Sequence, residues 1–481
     1  MKSFYITTTI PYVNAEPHIG FALELVQADA IARAQRLLGR DVFFSTGTDE
    51  YGQKIWQASQ KEGKDVQEYV DYYAQKYLDL KDLLNLSTDN FIRTTSRGNI
   101  LAAQEFWRLC QEKGDIYKKT YKGLYCVGCE RFLTERDLLD GKCAIHTNIE
   151  LEEVAEENYF FKLSNYKKEL LEYLSKEKVI LPEWRRLEAV DFVENAMEDF
   201  SISRSKKRIS WGIPIPEDSE QVMYVWFGAF VNYLSTLGWP FDFAQGKPDL
   251  FEKFWQEGER VQTAGKDMVK FQSVMWQGML LSAGFPLTDS VLYHGFVTGE
   301  GGVKMSKSMG TGINPADIVG EYGADALRYF LLREISTFED SPFTTERFKE
   351  AYNANLANGL GNLVSRIMKM AEDNLDEPVQ IAEWEDMSTY FAYLNNFEIN
   401  KACDYIWQEI GDMDKYIQEN QPFKVVKTDR LAGQKMISDL VVRLYSVARM
   451  LNPIMPETSS KIKARIKSNK SPETPLFLRK D

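Results

Sequence analysis

Three strings of residues place chemistry-bearing side chains at spacings that imply a site. Cys126-x2-Cys129-x13-Cys143-x2-His146 sets two close ligand pairs apart by a loop, the spacing of a small knuckle around a tetrahedral Zn2+. Four protein ligands leave no coordination position for water, so such a site is structural. A disulfide or unrelated free thiols are the other readings of these cysteines. Cys110 and Cys403 stand apart and are expected as buried apolar side chains.

The second string is His18-Ile19-Gly20, with one of only three histidines in the chain. At a loop-to-helix junction it makes an anion site: backbone N–H groups point outward, the dipole lies behind them, and glycine admits a phosphate. An ordinary capping histidine is the plainer reading. The third string, Lys304-Met305-Ser306-Lys307-Ser308, sits between Gly301-Gly302 and Gly310 and Gly312. Two lysines on a glycine-hinged loop suit charge developing on a departing pyrophosphate. The alternative is a solvated basic loop.

The elements that must position these groups follow from periodicity. Phe4 to Ile10 reads as a strand, and Leu23, Val26, Ala30, Ala34 and Leu37 fall at helical spacing closed by Gly39. Asp41 to Thr46 reads as a second strand. A strand, crossover helix and strand in about 45 residues imply a parallel sheet, whose ligands sit outside the carboxyl ends of strands. His18 and Asp49 would lie there. Val291 to Thr298 reads as a late strand, and Asn314-Pro315 as a helix start. From about Thr345 to about Met455 helical spacing takes over.

Composition sets the outer limits. A chain of 481 residues, 44% hydrophobic and 27% charged, carries two to four soluble domains. No apolar run approaches the roughly 18 residues of a membrane span; Val222 to Phe230 stops after nine. The N-terminus has no signal-peptide core, and five cysteines in so long a chain fit a reducing compartment, so cytosol is the expected location. A net charge of −13 opposes indiscriminate nucleic-acid binding. Lys461 to Asp481 reverses that balance, with seven Lys/Arg against two acidic residues, and reads as a solvated basic tail.

The second and third strings together resemble the paired signature of class I aminoacyl-tRNA synthetases. Pro11-Tyr12-x-Asn14, Gly47-Thr48-Asp49-Glu50, Ser201-Ile202-Ser203-Arg204, Trp211-Gly212-Ile213-Pro214, Tyr224-Val225-Trp226, Gly265-Lys266-Asp267 and His294-Gly295 narrow the resemblance to methionyl-tRNA synthetases over essentially the whole chain. The cysteine string is similar to that family's single-zinc insertion. The resemblance implies a Rossmann-like α/β catalytic domain (1–115 and 221–298) split by a zinc-bearing insertion (116–220). A loop and stem-contact region (299–344) and an α-helical anticodon-binding domain (345–481) follow.

It also implies a ligase that activates methionine with Mg-ATP and charges tRNA(Met). His18, Lys304, Lys307 and Arg204 would be catalytic, with Gly20 and Ser306 joining them at ATP. Ile10, Tyr12, Asp49, Trp226, Ala229, Tyr233 and His294 would line the methionine site. Aromatic rings suit a polarizable thioether, Tyr233 and His294 can offer its sulfur a hydrogen bond, and Asp49 can pair with the ammonium. Asn362, Arg366 and Phe423 would meet the anticodon. The partners implied are tRNA(Met), ATP and L-methionine, with no membrane, and a monomer is expected.

Three positions depart from the family. Phe21 stands where a second signature histidine is usual, Gln272 where histidine is common, and Phe423 where tryptophan is usual. Phe21 is the one support for a different reading, a synthetase-like paralogue that binds tRNA or methionine with weakened catalysis.

Overall fold

The computed structural model describes residues 2–129, 131–133, 137–240, 250–299, 301, 313–381 and 386–481. The chain divides into two compact units that interleave along the sequence. The first comprises 1–17, 40–79 and 88–293; the second comprises 18–39, 80–87 and 294–481.

The first unit is built on a six-stranded sheet ordered Asn90–Arg93, Val42–Thr48, Phe4–Thr7, Glu259–Gly265, Ser290–His294, Ile180–Leu181. Phe4–Thr7 runs parallel to both Val42–Thr48 and Glu259–Gly265, Val42–Thr48 parallel to Asn90–Arg93, and Ser290–His294 parallel to Ile180–Leu181. Phe4 to Thr7 is buried throughout, the continuous apolar run of a strand covered on both faces. The sheet's core is aromatic: Trp276 stacks on Phe106 and Phe230 at 5.7 and 5.6 Å between ring centres and meets Trp255 edge-on. Such pairs add to the area term that dominates core stability.

A long antiparallel hairpin leaves this core. Ile116–Cys126 pairs with Glu152–Phe161 from Ile116↔Phe161 to Tyr125↔Glu152, with the cysteine string between its strands. Cys126, Cys143 and Leu133 form a small apolar cluster of their own.

The second unit is helical. Its first element, Ile19–Leu37, lies in sequence between two strands of the sheet. Helix Arg430–Leu451 packs against Asn362–Asn374, Ile399–Asn420, Pro422–Thr428 and Pro456–Ser468. The expected helix start at Asn314-Pro315 forms: Asn314 caps Pro315–Tyr322, its side chain accepting from the Ala316 N–H at 3.0 Å. The expected strand Val291 to Thr298 is interrupted. It forms as Ser290–His294 and Val297–Thr298, with the Phe296 N–H between them turned to Asp340 Oδ1 at 2.9 Å. The basic tail is corrected in part, because Lys461 to Ser468 continue helix Pro456–Ser468 with Ile462 and Ile466 buried. Among the described residues no helix is long and apolar enough to cross a membrane.

Candidate functional site

The histidine signature forms the tip of helix Ile19–Leu37. His18 is the N-cap, its backbone extended (φ −127°, ψ 167°), and its Nδ1 accepts from the Gly20 N–H at 3.0 Å. That bond sets the tautomer of the neutral ring: the proton sits on Nε2, which is therefore a donor. Gly20 is required here, since a Cβ at that position would lie 2.9 Å from the His18 ring. No acidic residue occupies the first turn, so nothing there competes with an anion for the N–H groups. Phe21, the departure from the family pattern, is buried within the helix.

The Ile19 N–H donates to Ile313 O at 3.1 Å, bringing the chain just after the glycine-framed loop back to the helix tip. Lys304, Ser306 and Lys307 lie outside the described residues.

The first unit brings together most of the expected methionine residues. Tyr12 and Asp49 face each other across a parallel bridge, and the Asp49 N–H donates to Pro11 O at 2.9 Å. The Tyr12 ring meets Trp226 edge-on at 6.2 Å. Trp226 and Ala229 share helix Val225–Phe230, and Tyr233 follows on Asn232–Ser235. Ile10 is half-buried just past the strand Phe4–Thr7.

Two further residues belong to this cluster. Phe271 stacks on Trp226 at 4.4 Å and 15°, and Tyr233 Oη donates to Gln272 Oε1 at 3.4 Å. Gln272 Nε2 and Trp226 Nε1 are buried donors without a hydrogen-bond partner among the described residues, a condition natural proteins rarely tolerate outside functional sites. The sequence flagged Gln272 only as a departure from the family. Phe271–Met275 is a π-helical turn, a device frequent at functional sites.

The charge around Asp49 is negative. Burial, then Glu50 and Asp49, pushes the Tyr51 hydroxyl up to about 12. Glu50 is held by Arg93 (Nε–Oε1 2.6 Å), and its carbonyl accepts from the Trp211 indole at 2.6 Å. Thr94 Oγ1 lies at a long 3.4 Å from Asp49 Oδ1.

His294, expected to offer sulfur a hydrogen bond, ends the strand Ser290–His294 with both ring nitrogens near acceptors. Nδ1 faces Gly295 O at 2.7 Å, and Nε2 pairs with Glu24 at 2.9 Å on helix Ile19–Leu37. Arg204, expected to be catalytic, is held by aromatic rings and nearby oxygens. Its guanidinium is buried over Tyr224 at 4.5 Å and over Tyr125 and Phe132 at 5.2 Å each. Its Nη1 donates to Ser201 Oγ (2.9 Å) and Ser203 O (2.7 Å). A cation caged between the hairpin base and Tyr224 gains cation–π stabilisation from the rings around it.

The cysteine string closes into a cluster. The ligand atoms of Cys126, Cys129, Cys143 and His146 all lie within 4.8 Å of one another. Cys129 Sγ is 3.5 Å from Cys143 Sγ and 3.2 Å from His146 Nδ1; Cys126 and Cys143 are each 3.9 Å from that nitrogen. A tetrahedral Zn2+ with ordinary bond lengths would hold such atoms about 3.5–3.8 Å apart, and a disulfide needs about 2 Å. The donors fit a metal. Gly128 makes the approach possible, since a Cβ there would fall 2.6 Å from the His146 ring. Cys110 and Cys403 are buried as expected, and burial pushes the Cys110 thiol up to about 12.

In the second unit, Asn362 and Arg366 lie on helix Asn362–Asn374. Arg366 lines a groove of about 620 Å³ with Ser365, Lys369, Met370, Ile417, Phe423, Ser471 and Pro472. Its guanidinium pairs with Asp414, and Phe423 is 41% exposed, enough of a ring face for a base to stack on.

The family described as tRNA synthetases class I (M) matches this chain over residues 4–150 and 136–368. The chain belongs to that family. It is 40% identical to a methionine–tRNA ligase of Nostoc sp. over 96% of this chain and 89% of the relative. It is 37% identical to that of Thermotoga maritima over 98% and 76%. The structure of Mycobacterium tuberculosis methionyl-tRNA synthetase in complex with methionyl-adenylate is similar, at a TM-score of 0.89 and 34% identity with full coverage of both chains. As a class I synthetase of the methionine group, the chain carries its first signature on a helix tip and its aromatic cluster on the sheet unit.

Proposed function

We propose that this synthetase activates L-methionine with ATP to methionyl-adenylate, releases pyrophosphate, and transfers methionine to the terminal ribose of tRNA(Met). The observation that carries the reading is the cluster of Tyr12, Trp226, Phe271, Tyr233 and Gln272 beside Asp49. Its rings suit an unbranched polarizable side chain, and its buried N–H donor suits a weak sulfur acceptor. Asp49 pairs with the ammonium.

The methionine carboxylate attacks the α-phosphorus in line. His18 Nε2–H and the helix N-terminus at Gly20 bind phosphate oxygens, Lys304 and Lys307 neutralise the leaving pyrophosphate, and the Ser306 hydroxyl donates to ATP. Ile10 and Ala229 close the pocket sides. We assign Arg204 to supporting the pocket through Tyr224, and His294 to fixing the helix that carries His18. Mg2+ enters with ATP as part of the substrate.

Cys126, Cys129, Cys143 and His146 would hold one Zn2+, which supplies folding energy to the insertion and no reactive group. Arg366 and Asn362 would read flipped anticodon bases, and Phe423 would stack on one. The five segments proposed from sequence remain our assignment of domains. We take the enzyme to be cytosolic and monomeric.

Methionine-dependent exchange of labelled pyrophosphate into ATP tests the activation step. Exchange with methionine and not with leucine or isoleucine is expected. Folded, zinc-loaded protein with tight methionine binding and no exchange would give the binding-paralogue reading instead.

A further inference from the structure

Helix Ile19–Leu37 is tied into the second unit at three levels along its length. Glu24 meets His294 at 2.9 Å, Asp29 meets Arg328 at 2.7 Å, and Gln35 Nε2 donates to Asn395 Oδ1 at 2.9 Å. The middle tie stands apart, because both partners are fully buried. Asp29 Oδ1 accepts from the N–H and hydroxyl of Ser87, each at 2.6 Å, and Oδ2 accepts from Arg33 Nε at 2.7 Å.

Arg328 distributes its remaining donors over carbonyls of two distant segments. Nε donates to Ile454 O (2.9 Å), Nη2 to Pro453 O (2.8 Å) and Nη1 to Leu84 O (3.1 Å). Pro453 and Ile454 form the turn between helices Arg430–Leu451 and Pro456–Ser468. One turn before Arg328, Asp325 Oδ2 accepts from the Thr458 N–H at 2.6 Å, pinning the same short helix to the first turn of the helix that follows.

A buried ion pair is no better for stability than apolar side chains of equal volume. What a planar guanidinium adds is direction, since its fork admits one arrangement of the groups it joins. Asp29 lies eleven residues beyond His18 on one continuous helix, about 16 Å along its axis. A rigid rod therefore joins the pair to the His18 tip.

We propose that the Asp29–Arg328 pair is a positioning joint that carries the docking of tRNA on the helical bundle to the phosphate-binding tip of helix Ile19–Leu37. The proposal rests on the function assigned above, with tRNA at the groove of Arg366 and Phe423 and phosphates at His18. Arg328 touches no substrate and acts through Asp29 and the helix. Without tRNA the outer two ties keep the helix in place, so adenylate formation does not depend on the fork.

The test compares wild type, Arg328→Lys and the apolar pair Asp29→Leu/Arg328→Met, with Ile406→Val as a bundle variant of lowered stability. Three quantities are read: tRNA-free pyrophosphate exchange, tRNA Kd, and single-turnover transfer from preformed methionyl-adenylate to tRNA. Arg328→Lys is expected to keep the exchange kcat and methionine KM within about twofold, and tRNA Kd within about threefold, while transfer slows at least tenfold. The apolar pair is expected to recover thermal stability and not transfer, and Ile406→Val to transfer normally.

Transfer at the wild-type rate in Arg328→Lys, loss of exchange and transfer in step with the unfolded fraction, or rescue of transfer by the apolar pair each overturns the joint. Should Arg328→Lys fail to fold, Ser87→Ala, which removes one hydroxyl from Asp29, takes its place with the same readouts. Absence of exchange and charging in the wild type would defeat the assigned function itself, a result distinct from these.

Discussion

His18 shows how much one side chain's role depends on which of its nitrogens is used. Because Nδ1 is committed to the Gly20 N–H, Nε2–H is the donor the neutral imidazole would offer a phosphate. His18→Asn preserves a competent cap but shortens the reach, so the exchange kcat is expected to fall about 10²–10³-fold, as for one preorganised donor. The melting temperature should stay within about 2 °C. A loss confined to the melting temperature would mean the ring serves the helix only. For Gln272→Leu, the buried Nε2 donor is lost while the volume is kept. Methionine KM is expected to rise about 3–10-fold, the worth of one modest hydrogen bond, with norleucine, which lacks sulfur, almost unaffected. Equal effects on both amino acids would place the donor elsewhere than on sulfur.

At the same scale, legibility in the sequence follows the range of the interaction. The four expected zinc ligands span 21 residues, and their spacing alone predicted a cluster that the fold brings within 4.8 Å. The contact between His294 and Glu24 was not legible, because the two are 270 positions apart and no local pattern announces it. Gln272 is similar, since its role depends on a π-helical turn and on Tyr233, 39 positions earlier.

Among elements, the hairpin Ile116–Cys126/Glu152–Phe161 separates the metal cluster from the main core. None of Cys126, Cys129 or Cys143 belongs to the large aromatic cluster of the first unit. Removal of zinc by a chromophoric chelator should therefore release about one ion per chain and open a protease site in the 126–146 segment. The main calorimetric transition should move by no more than about 2 °C. Collapse of that transition on chelation would show that the hairpin holds up the sheet.

Element types were readable where periodicity was strong. The helix expected through Leu37 ends there, and the strand expected from Asp41 forms as Val42–Thr48. The break at Gly295 and Phe296 was not readable, because the cause is Asp340, on a distant segment. The basic tail misled because charge dominated its composition and hid the buried pair Ile462 and Ile466, spaced one helical turn apart.

For the whole molecule, acid should act on the second unit through Asp29. Burial alone would raise this carboxyl, but Arg328, Arg33 and Ser87 together hold it below the usual carboxylate range. A depressed carboxylate contributes stability above its unfolded value of about 3.9, and that contribution is lost as pH falls through the lower folded value. Asp29→Asn leaves Arg328 buried and uncompensated, at a cost of about 3–5 kcal/mol at neutral pH. Urea midpoints measured from pH 7 downward should show wild type and variant converging below about pH 4. A gap constant with pH would mean the carboxylate is not charged in the fold.

The interleaving of the two units has a consequence for biosynthesis. Residues 18–39 leave the ribosome early, yet their tertiary partners Arg328 and Asn395 are some 300 residues further along. At ordinary elongation rates of about 5–20 residues per second, the nascent helix waits roughly 15–60 s with a buried carboxylate and an apolar face still exposed to water. Maturation of the His18 helix tip is thus gated by translation of the C-terminal half.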